Sequence, residues 1–177
     1  HKHFWKYSIR EYAWIDDKMA VLKSDFFTEA LKSVAQAEGV IGTVAVQARQ
    51  TLAETYFLLE LAEADDFIKG VVGWVDLCAD DVSNQIEALR IIPKLKGIRH
   101  IVQAEPDDDF MLRPDFNKGV ALLTDAGLTY DILIFPKHLK VAYQFAKMHP
   151  QQSFVLDHLA KPYIKKQEFS PWKDDLM

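Results

Sequence analysis

Ile68 to Val75 reads IKGVVGWV, an apolar run broken only by Lys69. A run of this kind, rich in valine and without polar alternation, predicts a strand of a parallel sheet covered on both faces. The same pattern recurs at Val40 to Val46 (VIGTVAV), Gly97 to Val102 (GIRHIV), Leu128 to Ile134 (LTYDILI) and Phe154 to Leu156 (FVL). His1 to Phe4 reads as the end of an earlier strand, giving six strand–helix units. Strand starts recur every ~25 to 31 residues, room for one strand, one helix and two loops.

Helical periodicity fills the gaps. Thr28 to Glu38 places Leu31, Val34 and Ala35 on one face, with Gly39 as its stop. Thr51 and Glu54 have capping-box spacing ahead of Leu52, Leu58, Leu59 and Ala62. Asp81 to Ile92 repeats Val82, Ile86 and Leu89 and ends at Pro93. Asp115 to Ala126 carries Phe116, Val120 and Leu123 and closes at Gly127; Leu139 to Met148 stops before Pro150. Ser170-Pro171 reads as a cap followed by proline at the first helical position. A doubly wound open sheet and a (β/α)8 barrel both fit this order. No G-x-G-x-x-G and no G-x-x-x-x-G-K-[ST] occurs, which argues against a dinucleotide fold and a phosphate loop.

Composition narrows the class. The chain has 177 residues, 49% hydrophobic and 27% charged, enough for one globular domain with a sizeable core. A net charge of -5 disfavours a nucleic-acid binder. No apolar run approaches the ~18 residues of a membrane span. The start, HKHFWKYSIR, has no signal-peptide core, and the single cysteine, Cys78, fits a reducing, cytoplasmic setting.

Polar residues gather where the predicted strands run out, the active face of an α/β layout. These are His1 and His3; Gln47 and Arg49; Trp74 and Asp76; Arg99, His100 and Gln103; Tyr130 and Asp131; Asp157 and His158. His1 and His3 are two apart, so a strand aims both rings at one face, where they can hold a divalent metal or polarise a carbonyl. His-Lys-His at a terminus is also what a tag remnant leaves. His158, taken alone, is more often a satisfied core histidine or one that supports a site from behind its ligands. Arg99 and His100 point to opposite sides of one strand. A buried Arg99 either meets substrate oxygen or makes a structural ion pair with Asp76 or Asp131. The loop EPDDDF (Glu105 to Phe110) is either a cation site, a lid or a solvated turn. Cys78 reads as a small core hydrophobe. Phe4, Trp5, Tyr7, Tyr12 and Trp14 either wall a pocket or simply pack.

The opening HKHFW, together with VQARQ, GVVGWVDL, GIRHIVQAEPDDDF, LTYDILIFP and FVLDHLAKP, resembles the amidohydrolase superfamily along the whole chain. The resemblance is to its amidohydrolase 2 type and the sugar-lactonase branch, whose members open L-fucono-1,5-lactone and 2-pyrone-4,6-dicarboxylate. It implies a (β/α)8 TIM barrel of which this is an incomplete N-terminal portion. Residues 1–177 would form a single barrel domain truncated at both ends relative to the family, since a closed barrel takes ~250 residues.

The same resemblance implies the chemistry. Water would attack the ester carbonyl of a sugar lactone. His1, His3 and His158 would be catalytic, polarising that carbonyl directly or holding a single divalent metal such as zinc that does so. Arg99 and Tyr130 would contact substrate, and strand-end placement adds Gln47 and Asp131. The family's general base, an aspartate ending the eighth strand, would lie beyond residue 177, so the 177-residue chain alone is expected to be inactive. Neither GIRHIVQ nor LTYDILI supplies the ligands of a binuclear centre. The expected partner is a small-molecule lactone, with no nucleic acid and no membrane, and a homo-oligomer stays open. Two other readings remain: a metal-dependent decarboxylase of the same superfamily, and an inactive ligand-binding barrel.

Overall fold

Strands and helices alternate as predicted in the computed structural model, which describes residues 1–177. The chain divides into two units. One comprises His1–Trp74 with Ile92–Lys96, and the other Val75–Ile91 with Gly97–Met177.

The first unit holds α1 (Thr28–Ala37), β1 (Thr43–Val46), α2 (Leu52–Ala64) and β2 (Ile68–Gly73). β1 and β2 pair in parallel, with Val46 opposite Val72. Leu58, Leu59 and Ala62 bury the inner face of α2. Thr51 caps that helix, its hydroxyl accepting the Glu54 amide at 3.2 Å. The reciprocal half of the capping box is not made, because the Glu54 carboxylate turns to the amides of Ala48 and Arg49. Gly39 ends α1 in the left-handed region at φ +74°, as its position predicts. The predicted inner face of α1 is only partly realised: Leu31 is half-buried but Val34 is exposed.

The expected strand at His1 to Phe4 is reduced to one parallel rung, Lys2 beside Ala45. It ends there because by Trp5 the chain has already turned to pair antiparallel with Phe26. The aromatic residues that follow pack rather than line a cleft. Trp5, Tyr12 and Ile15 make a small core with Met19, Leu22 and Phe26, and Trp5 Nε1 donates to the Ser24 carbonyl at 2.9 Å.

β3 (Leu95–His100) begins in the first unit and continues in the second. The second unit also holds α3 (Val82–Arg90), α4 (Pro114–Asp125), β4 (Thr129–Ile132), α5 (Leu139–Met148), β5 (Phe154–Leu156) and α6 (Trp172–Leu176). Its strands pair in parallel, β3 with β4 and β4 with β5. The predicted helix faces are buried at Val82, Ile86 and Leu89, and at Phe116, Val120 and Leu123. Gly127 takes φ +68° and ends α4 with a backbone bond from Leu128 N to Leu123 O. Pro171 sits at the N-cap of α6, one position earlier than predicted. β5 departs from the expectation of double coverage: it edges this unit's sheet, and Val155 is 45% exposed. No helix is long and apolar enough to cross a membrane.

Candidate active site

In the first unit, the two-residue spacing places His1 and His3 on one face. Their rings meet edge to face with centroids 5.0 Å apart. His3 Nδ1 lies 2.8 Å from the Val46 carbonyl. A carbonyl can only accept, so Nδ1 carries the proton, and in the neutral ring the lone pair is on Nε2. A metal-binding or carbonyl-polarising histidine is usually oriented in this way, its second nitrogen held by the backbone. Gln47, directly after β1, is fully buried, and its backbone amide donates to Val72 O at 2.9 Å.

The loop after Gln47 is fixed by a residue the sequence reading treated only as a capping partner. Glu54 is sealed from solvent and accepts from Ala48 N at 2.9 Å, Arg49 N at 2.6 Å and the Tyr12 hydroxyl at 3.2 Å. Burial pushes its carboxyl pKa up, and the two amides and the Arg49 charge oppose that. Arg49 also pairs with Glu11 at 2.8 Å and lies over the Tyr12 ring.

In the second unit, strand register decides which residues share a face. Arg99 pairs with Asp131, and Asp131 with Val155, so these three lie on one side of the sheet. Arg99 Nη1 donates to Asp157 Oδ2 at 2.7 Å, both side chains being nearly sealed from water. The ion-pair partner is therefore Asp157, rather than Asp76 or Asp131, the carboxylates named as examples from the sequence. Asp76 is exposed and accepts the Cys78 amide, while Asp131 receives the Thr129 hydroxyl at 3.3 Å. Burial, with the nearby Asp157 charge, raises the Asp131 pKa to about 6; Arg99 works against the rise.

Tyr130 does not join this cluster. It lies on the opposite face of β4, fully buried against Phe116, Phe145 and Phe154, with ring centroids 5.7 to 6.3 Å away. Burial holds its phenol well above the usual range. His100 shares that face. It stacks on Phe110 at 4.8 Å and bonds to Glu105 at 2.6 Å. The acidic loop is thus a tied turn, with Glu105 on His100 and Asp108 on Lys137 and His138. Cys78 is half-buried rather than a core residue, and burial lifts its thiol to about 11, so it is no nucleophile at neutral pH.

His158 is exposed, where a core histidine was an open reading. It begins a run of non-glycine residues in the left-handed region: His158, Leu159, Ala160 and Lys161, with φ between 50° and 56°. Each such residue costs roughly 1–2 kcal/mol, so the run persists only where its surroundings hold it. Asp157, just before the run, is bound by Arg99. Lys161, at its end, donates to Gln103 Oε1 at 2.7 Å. Gln103 had been placed at a strand end without a role, and Lys161 carried no signal at all.

The family model described as Amidohydrolase matches residues 1–176, and the chain belongs to the amidohydrolase family. Among particular proteins, it is similar to two L-fucono-1,5-lactonases. That of Burkholderia multivorans is 40% identical over 165 residues, 93% of this chain and 55% of that protein. That of Burkholderia ambifaria is 34% identical over 172 residues, 97% of this chain and 59% of that protein. This chain thus spans a little over half the length of either enzyme. Crystal structures of an amidohydrolase from Burkholderia multivorans superpose closely at 37% identity. One with bound HEPES gives a TM-score of 0.94, covering 99% of this chain and 63% of that one. One with bound zinc gives 0.92, covering 98% and 62%. The fold class is the expected one, α/β with the strand–helix order of an incomplete (β/α)8 barrel.

Proposed function

We propose that the full-length protein is a lactonase that opens the ring ester of an aldonolactone, of the L-fucono-1,5-lactone type, by attack of water. The observation that carries this reading is the similarity, over more than nine-tenths of this chain, to two enzymes named for that reaction. The chain's own chemistry supports it. An ester hydrolysed by water needs its carbonyl polarised and the developing oxyanion stabilised. His1 and His3 are assigned that work in the first unit, with the His3 tautomer already set by Val46. His158 is assigned the same work in the second, as the exposed first residue of its turn.

The donor set also fits a metal. His3 offers an Nε2 lone pair backed by a carbonyl, and His1 stands beside it. His1 and His3 would serve a divalent ion, as zinc is bound by the Burkholderia multivorans amidohydrolase, and the family resemblance names His158 as a further ligand. Bound there, such an ion supplies Lewis-acid polarisation of the carbonyl. Asp131 and Arg99 supply a buried mixed-charge surface that orients the polyol, and Gln47 contributes a buried amide. Asp131, with a pKa near 6, exchanges its proton close to neutral pH.

The test is acid release from L-fucono-1,5-lactone by the full-length protein, followed by titration against the spontaneous rate. Metal content is measured on the same samples before and after chelation. Release well above background supports the reading. Release no faster than background, across a panel of aldonolactones, overturns it.

A further inference from the structure

The chain just after β5 combines two features that are seldom found together. Four successive side-chain-bearing residues, His158 to Lys161, are left-handed, a conformation that L-residues avoid and in which, of these four types, only histidine is enriched. The run is also tied at both ends to the segment that ends β3. Arg99 holds Asp157 at 2.7 Å, and Gln103 holds Lys161 at 2.7 Å. The two ties span the same 58-residue separation, so the short stretch from 99 to 103 acts as a template against which the turn from 157 to 161 is laid. Two further bonds close the turn: Lys161 N donates to His158 O at 2.9 Å, and Trp172 Nε1 donates to Leu159 O at 2.6 Å. Lys161 Nζ also lies over the Phe135 ring, 5.4 Å from its centroid, which leaves the ammonium little other room. The frame presents His158 and Leu159 to solvent, and of the two only His158 carries a titratable, metal-binding ring.

We propose that Gln103 and Lys161 are positioning residues whose contact holds the left-handed turn and so fixes the direction of the His158 imidazole. Neither touches the reacting atoms. Strained backbone persists only where neighbours over-determine it; here Arg99 on Asp157 and Trp172 on Leu159 share that work, and the Gln103 amide oxygen on the Lys161 ammonium holds the far end of the turn. Without the Lys161 tie, the turn relaxes toward right-handed or extended backbone and the imidazole swings with it. The importance of this for turnover rests on the lactonase reading; the positioning itself does not.

The experiment uses full-length protein carrying 15N-labelled histidine, with the His158 ring signals assigned by their loss in His158→Asn. In Lys161→Met and Gln103→Leu, each removing one side of the tie, the His158 signals should move or broaden while those of His138 and His149 stay in place. Lys161→Arg, which keeps a donor, should retain the wild-type spectrum. Lys161→Met with Leu159→Gly should recover part of it, because glycine adopts the left-handed region without strain. With lactone as substrate, kcat should fall about tenfold or more in Lys161→Met, with KM changed less than about twofold, the signature of a misplaced group rather than lost substrate binding. Unmoved His158 signals in both Lys161→Met and Gln103→Leu would overturn the proposal. If the wild-type protein turns over no lactone, the lactonase reading fails while the spectra still decide whether the turn is held this way.

Discussion

Arg99 and Asp157, 58 residues apart, form a 2.7 Å ion pair in which the side chains are only 3% and 4% exposed. Breaking one half of such a pair leaves an uncompensated buried charge, which usually costs more than the pair contributes over an apolar replacement. Arg99→Met should lower stability by about 3–5 kcal/mol in urea unfolding. Removing both charges, Arg99→Met with Asp157→Leu, should recover a large part of that loss. A loss under about 1 kcal/mol for Arg99→Met would mean that the pair is solvated in solution.

Asp131 sets a pH dependence. Its carboxyl has an ordinary value of 3.8 in the unfolded chain and about 6 in the folded one, raised chiefly by burial. The folded state therefore holds the proton more tightly. The stabilisation from that proton is fully present below about pH 4 and is lost as pH rises through about 6. Asp131→Asn should abolish this slope, gaining on wild type by about 2–3 kcal/mol between those limits. Urea unfolding of both proteins across that window checks the sign; a gap that narrows with rising pH would contradict it.

Glu54 governs the loop after β1. It takes two backbone amides and the Tyr12 hydroxyl while itself sealed from water. Glu54→Ala leaves those donors unsatisfied and should cost about 2–4 kcal/mol. Amide exchange at Ala48 and Arg49 should accelerate more than exchange in β2. Uniform acceleration across the unit would instead indicate a general loss of packing.

Gly119 pits helix propensity against packing. Alanine in α4 would gain about 1 kcal/mol from propensity alone. A Cβ there, however, would collide with the Leu77 carbonyl oxygen, a backbone atom that cannot move aside cheaply. Overpacking of that kind costs about 1–3 kcal/mol, so Gly119→Ala should lower the melting temperature by several degrees. A raised melting temperature would show that the segment carrying Leu77 yields.

Much of the fold was legible because it is written in local pattern. Apolar runs rich in Val, Ile and Leu located β1 to β5 within a few residues, and Gly39 and Gly127 stop their helices by the left-handed route their positions suggested. The His1 and His3 pair was legible from the period of a strand alone. What was not legible depends on register. Arg99 meets Asp157 only because strand pairing carries β3 past β4 to β5, and no local spacing encodes that. Tyr130 and Asp131 are adjacent in sequence but face opposite ways, so strand-end placement grouped a core phenol with a buried carboxylate. The left-handed run at His158 was illegible for a different reason: Leu, Ala and Lys carry no preference for it, the enrichment of His there does not foretell a run of four, and long-range bonds hold it.

The central claim, that histidines of this chain promote attack of water on a lactone carbonyl, is tested most directly by turnover in 18O-labelled water. Full-length wild-type protein and His3→Asn would be compared on L-fucono-1,5-lactone. The account predicts that wild type places one 18O atom in the product carboxylate and none on the ring oxygen that leaves. It also predicts that His3→Asn loses about 10²- to 10³-fold in kcat, the usual loss when a group that stabilises the oxyanion is removed. Equal turnover by the two proteins, or release of carbon dioxide in place of the labelled acid, would contradict it.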